Sequence, residues 1–277
     1  MTHILIPLII FLLVLMIYLH IRFHLKVNND LDVFTIRDHT KERINKVCNL
    51  KQPFKFNYIN KNLLQLLTFE NLKKNHGHHS LHIRKINETL HLPMKLENGM
   101  KLFEQDVSNN YFSENNSDFL NESNLLKFYK NDTVLQPNLV SNKKYDMICG
   151  KQNTNTITKY NLYYRNFFYV TDGQCKIKLF SPDNIDKLNI NKNYELFEYS
   201  SSINPFKDNI KQYKTTELTL QRGDIIFIPP YWLYCFYFTE NTIINCFHYG
   251  TYMSNLSILP EFIKHVFQKQ NIVEKLN

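Results

Sequence analysis

The chain has 277 residues, a formal net charge of +8 and 14% aromatic residues, with 17 Tyr and 21 Phe but only 6 Gly. These large side chains suffice for one ordinary core and exclude disordered and collagen-like classes. Lys and Asn are spread along the chain beside abundant Ile, Tyr and Phe, so the charge reads as an AT-rich coding bias. Without a dense Lys/Arg cluster, nucleic acid is not an expected partner.

Residues Ile4 to Leu19, "ILIPLIIFLLVLMIYL", form an uncharged apolar run. His20 and Ile21 extend it to roughly 18 residues, the low end for a helix that spans a bilayer. Met1-Thr2-His3 carries no basic residue and "YLHIRFHLK" has no small-residue cleavage site, so residues 4–21 are expected to be an uncleaved anchor rather than a signal peptide. Arg22 and Lys26 follow the run and no Lys or Arg precedes it, which places the remainder on the cytosolic side. Cys48, Cys149, Cys175, Cys235 and Cys246 are odd in number, lack C-x-x-C spacing and read as free thiols. The triplets at Asn87 ("NET") and Asn131 ("NDT") would matter as glycan acceptors only in a luminal domain.

Residues 22–277 read as a single domain whose first part, 39–130, is mixed. "TKERINKVCNL" and "NKNLLQLLTFENLKK" have helical spacing, with Thr40 and Asn60 as caps. "HSLHIRK" alternates like a strand, and "NSDFLNESNLLKFYKN" returns to helical spacing with a Ser117 cap. From Tyr145 the pattern becomes short β-branched and aromatic runs separated by turns: "YDMIC", "NFFYV", "KIKLF", "LTL", "DIIFI", "YCFYF" and "TIINCFHY". This spacing predicts an antiparallel barrel or sandwich over about 145–252. Between two of these strands, Asp183 to Thr216 is a long polar excursion, expected as a surface insertion or lid-like loop. "PEFIKHVFQKQN" predicts a C-terminal helix over 260–271, with Pro260 at its start and apolar residues on one face.

"NFFYVTDGQCKIKLFSP", followed about forty residues later by "LTLQRGDIIFIPPYWLYCFYF", resembles the JmjC-type, cupin-like proteins, a branch of the iron and 2-oxoglutarate dioxygenases. "HHSLHIR" is similar to an early strand of the same family. The resemblance implies a mainly β (α+β) fold: a double-stranded β-helix, or jelly-roll barrel, with flanking helices, here preceded by one transmembrane helix. In that family an H-x-D pair before the N-F-F strand and a second His after P-P-x-W hold iron. Two imidazoles and one carboxylate then occupy one face of Fe(II) and leave the rest open to co-substrate and oxygen.

Carried onto this chain, the first pair falls at Lys159 and Asn161 or, one residue on, at Tyr160 and Leu162. The second His falls at Tyr234. The Lys that grips 2-oxoglutarate falls at Cys175, after the turn residue Gly173. Every carried-over position is substituted, so the resemblance implies a degenerate site with neither Fe(II) nor 2-oxoglutarate as cofactor, and no catalysis. Tyr160, Tyr163, Tyr164, Tyr231 and Tyr234 would surround that site. They leave either a residual ligand pocket, with Tyr160, Tyr164, Tyr231 and His248 as its candidates, or a barrel mouth filled by rings. The filled mouth is expected, since fold outlasts function. The imidazole-dense "HGHHSLH" (His76, His78, His79, His82) lacks a carboxylate and reads as a turn entering a strand.

Anchor and degenerate barrel together are similar to a set of membrane-anchored JmjC-like proteins encoded by giant DNA viruses. That likeness implies an interaction or structural module with a protein partner, at a viral or host internal membrane. The alternatives are an active Fe(II)/2-oxoglutarate oxygenase, acting as hydroxylase or demethylase, and a small-ligand-binding cupin.

Overall fold

The structure, a computed structural model, describes residues 2–86 and 88–271, so the Asn87 triplet lies outside the described residues. Helix α1 (Thr2–Leu25) comes first. Its Leu5–Leu25 segment has a mean hydropathy of 2.4 and is long and apolar enough to cross a membrane. The helix continues past the expected end at Ile21, and Lys51 accounts for where it stops. The Lys51 ammonium donates to the His24 carbonyl at 3.3 Å, a cation where the helix dipole favours one. It also lies over the rings of Phe23 and Tyr164.

A mixed segment follows: β1 (Phe34–Thr35), α2 (Lys41–Cys48), β2 (Phe54–Asn57), α3 (Lys61–Leu66), α4 (Phe69–His76), β3 (Ser80–Lys85), β4 (His91–Lys95), α5 (Leu96–Gln105), β5 (Tyr111–Ser113), α6 (Ser117–Glu122) and α7 (Leu126–Tyr129). Thr40 and Asn60 cap α2 and α3 as expected. "NKNLLQLLTFENLKK" nonetheless splits in two, because the Thr68 side chain accepts from the Asn71 amide and starts α4. Ser117 is not a cap. Asn116 precedes α6, but its side chain accepts from the His82 amide and donates to the Met147 carbonyl, while the Ser117 hydroxyl donates to the Tyr145 carbonyl.

The remainder is β6 (Val140–Gly150), β7 (Thr158–Tyr160), β8 (Arg165–Asp172), β9 (Gln174–Phe180), a 3-10 turn (Pro182–Lys187), β10 (Asn191–Asn193), β11 (Glu198–Ser201), β12 (Thr215–Gln221), β13 (Asp224–Ile228), β14 (Leu233–Phe238), β15 (Thr242–Thr251), α8 (Tyr252–Ser257) and α9 (Leu259–Gln270). Among the described residues the strands form two sheets, ordered β1-β2-β13-β8-β15-β6-β5-β3-β4 and β10-β11-β7-β14-β9-β12. The facing sides share one core, with Ile148, Phe168, Val170 and Ile244 from the larger sheet against Cys175, Ile177, Phe236 and Phe238 from the smaller. The other side of the larger sheet buries Phe167, Tyr169, Phe227 and Phe247 beneath helical residues such as Ile44, Leu63, Leu72 and Phe119. Apolar burial on both sides explains the near-continuous hydrophobic runs of "NFFYV" and "TIINCF".

The polar excursion is more ordered than its sequence predicts. Its β10–β11 hairpin extends the smaller sheet, with Tyr199 opposite Tyr160 and Ser200 opposite Lys159. Backbone pairing needs no apolar periodicity, so the sequence carried no sign of it.

A buried ion network at the mouth of the two sheets

Side chains alternate along a strand, and that decides which of the sequence-derived positions meet. Lys159 on β7 stands opposite Tyr234 on β14. Lys159, Asn161 and Tyr234 line one small cavity between the sheets, together with Asp146, Phe168, Glu198 and His248. Tyr160 and Leu162 point the other way, into a separate cluster with Tyr194, Tyr199 and Leu233.

The Lys159 ammonium reaches Glu114 at 2.5 Å and lies 3.9 Å from Glu198. Arg84 bridges the same two carboxylates, at 2.7 Å to each, with a second contact of 3.0 Å to Glu198. Two cations and two anions thus neutralise one another, with side-chain exposure from 0% at Glu114 to 11% at Lys159. Burial acts to raise the Glu114 carboxyl, but Lys159 and then Arg84 outweigh it and hold it at about 2. Burial likewise opposes the Lys159 charge, and Glu114 reverses that, keeping the ammonium protonated above its ordinary range.

The neighbouring groups are engaged as well. Asn161 Nδ2 donates to the Tyr234 hydroxyl at 3.0 Å. Burial holds that phenol protonated, above its usual range. The Tyr234 ring packs on Phe168 at 4.9 Å and on Phe236 at 5.6 Å. His248 Nδ1 lies 2.8 Å from Asn166 Oδ1, and Tyr163 stacks on the His248 ring. Burial, then Lys144 and Lys159, push the His248 pKa well down, so the ring is neutral. Asp146 accepts from the amides of Asn115, Asn116 and Met147.

Fe(II) does not fit this donor set. At the three carried-over positions stand an ammonium, a carboxamide and a protonated phenol, where the ion needs imidazole and carboxylate. The Asp146 carboxylate is taken up by backbone amides and the Glu198 carboxylate by Arg84. Among the described residues no three His, Cys, Asp or Glu form a group able to hold a metal. The cavity measures about 60 Å³, room for a few waters at roughly 10–15 Å³ each. Cys175 is fully buried and lies four residues along β9 from Leu179, the partner of Tyr234. That is roughly 13 Å away along the strand, outside the cavity.

The four candidates for a residual pocket do not share one cavity, although Tyr160 and Tyr231 meet. His248 lines the small cavity. Strand alternation turns Tyr160 outward, where it stacks on Tyr199 and meets Tyr231. Tyr164 is at the base of α1, bonded to Asn49. In the imidazole-dense tract His79 meets the rings of both His76 and His78, while His82 binds the Asn115 carbonyl.

Sequence reasoning missed Arg84, Glu114 and Glu198. The alternation of "HSLHIRK" puts Arg84 on the face opposite Leu81 and Ile83, a legible signal. Glu114 in "YFSENN" and Glu198 in the polar excursion carry none, because a buried charge resembles a surface one until its partner is known.

A larger cavity of about 830 Å³ opens outside the network, within the size range of small-molecule sites. Asn115, Lys144, Tyr163, Leu196 and Phe197 belong to both cavities. His82, His91 and Lys269 add polar groups, and Leu256, Leu259 and Phe262 an apolar side.

The paired sheets and the mouth between them define a cupin-type protein. The family model of the Cupin-like domain matches residues 31–252, and the chain belongs to that family. No curated protein matches it.

Proposed function

We propose that the chain is a membrane-anchored, catalytically inactive cupin-like module, in which an internal ion network takes the place of a metal centre and the mouth serves binding. We read β6 to β9 and β12 to β15 as a double-stranded β-helix; the strand orders β6-β15-β8-β13 and β7-β14-β9-β12 support this. The observation that carries the reading is the Lys159 ammonium, fixed by Glu114 beside Asn161 and Tyr234. A protein cation there neutralises the buried carboxylates that a metal would otherwise face. The outer cavity supports a binding role, for a small molecule or a segment of a protein partner. The apolar Leu5–Leu25 helix supports anchoring, and the sequence resemblance supports a viral or host internal membrane.

Turnover tests the reading. The full chain in detergent, with Fe(II), ascorbate and 2-oxoglutarate, is expected to form no succinate above the protein-free rate. Succinate that scales with protein and is abolished by a chelator would replace this reading with the oxygenase one.

A further inference from the structure

Helix α9 is amphipathic, but it is mounted with its apolar face outward. Leu259, Phe262, Ile263, Val266 and Phe267 recur at the spacing of one helical face and are 39–58% exposed. The opposite face holds the helix to the domain through polar groups: Lys264 Nζ meets the Tyr194 hydroxyl, His265 meets the Tyr194 carbonyl, and Gln268 is buried. An amphipathic surface helix normally buries its apolar face, so this face is built to be covered by something else.

The position of α9 identifies the cover. It follows α8 directly, and α8 packs against α1. Leu19, His20 and Phe23 of α1 share a cleft with Tyr252 and Met253 of α8. A helix of 21 residues spans about 31 Å, the thickness of a bilayer core, so the last turns of Leu5–Leu25, where α1 meets α8, lie at the bilayer surface when the helix crosses. The bilayer then meets the part of the domain beside α8. Tyr252, 69% exposed, suits that depth, since Tyr is enriched at the interface. Arg22, Lys26 and Lys269 are exposed cations on or beside α1 and α9, which anionic headgroups attract.

We infer that α9 lies in the plane of the membrane, its Leu259–Phe267 stripe in the headgroup and acyl boundary, so that the domain is held at a fixed tilt with its outer cavity next to the lipid. This rests on the anchoring reading above. An in-plane helix of this kind buries its apolar face a few ångströms into the boundary region, roughly 5–10 Å.

The five native Cys are buried, so an environment-sensitive fluorophore can be placed on one introduced thiol in the full chain. Phe267→Cys reports α9, Val14→Cys reports α1, and Glu240→Cys reports the far end of β15, about 30 Å away along the strand. Each variant is reconstituted into phosphatidylcholine vesicles containing phosphatidylserine, with and without nitroxide-labelled lipid. The expected result is loss of most of the emission at positions 267 and 14, with little change at 240. Quenching at 14 but not at 267 overturns the inference and leaves the anchor in place. Self-quenching at 267 that grows with protein density and needs no nitroxide lipid also overturns it, by assigning the face to a second copy. Absence of quenching at 14 removes the anchoring reading and this inference with it.

Discussion

Glu114 has no solvent-exposed surface, yet two cations share its carboxylate. Glu114→Gln leaves Lys159 and Arg84 with a single anion between them, and breaking a buried pair in this way costs about 3 to 5 kcal/mol. Chemical denaturation of parent and variant measures it. The pH dependence has a definite sign. The folded Glu114 pKa of about 2 lies below its ordinary 4.5, so its contribution is fully present above 4.5 and is lost as pH falls toward 2. The parent's melting temperature should therefore fall more steeply than that of Glu114→Gln over that window; parallel curves would show that Glu114 is not held ionised. Tyr234 makes a different case, because its ring is core. Tyr234→Ala should cost about 3 to 5 kcal/mol, as buried aromatic truncations do. Tyr234→His should also destabilise and should bind no metal, because Asn161 supplies no carboxylate. A Tyr234→Ala chain as heat-stable as the parent would mean that the ring stands in open space. The family pattern pointed to Tyr234 and left Lys159 with Asn161 or Tyr160 with Leu162 open; strand alternation puts Lys159 and Asn161 on the cavity with Tyr234. The carboxylates that hold Lys159 come from β5's end and from β11, far apart in sequence, and no local pattern links them.

At the scale of the element, strands and caps set the site. "DIIFI", "YCFYF" and "TIINCFHY" read correctly as strands because β-branched and aromatic runs bounded by turn residues have few other readings. The β10–β11 hairpin did not, since β10 is polar and the rings that anchor the hairpin, Tyr194 and Tyr199, follow no strand alternation in the sequence. Two elements carry testable constraints. Gly173 turns β8 into β9 with φ +69°, and a Cβ there would lie 2.1 Å from the Asn241 carbonyl oxygen. Gly173→Ala should therefore destabilise by more than the ~1 kcal/mol typical of a substitution, read as an earlier urea midpoint. Thr251 starts α8 with a reciprocal capping box, its hydroxyl accepting from the Ser254 amide and the Ser254 hydroxyl accepting from the Thr251 amide. Thr251→Ala should cost about 0.5 to 2 kcal/mol and loosen α8 against α1, seen as faster amide exchange in both.

For the whole molecule, the apolar N-terminus was the plainest sequence signal, and the outward apolar face of α9 the least legible, because sequence shows which residues share a helix face but not which way the face points. On the proposed anchoring, the positive-inside rule makes Arg22 and Lys26 the groups that would retain the domain on the cytosolic side. In microsomes the domain should then be digested by added protease, whereas protection with a glycan at Asn131 would reverse the topology. On the proposed reading, the Lys159 ammonium occupies the place where the resemblance would put iron. Mn(II), which binds a given nitrogen and oxygen site more weakly than Fe(II) does, tests it directly by titration at excess into the full chain under electron paramagnetic resonance. The expected result is a six-line signal of free Mn(II) undiminished by the protein, with or without 2-oxoglutarate. Loss of one equivalent of signal per chain, restored by Fe(II), would contradict it.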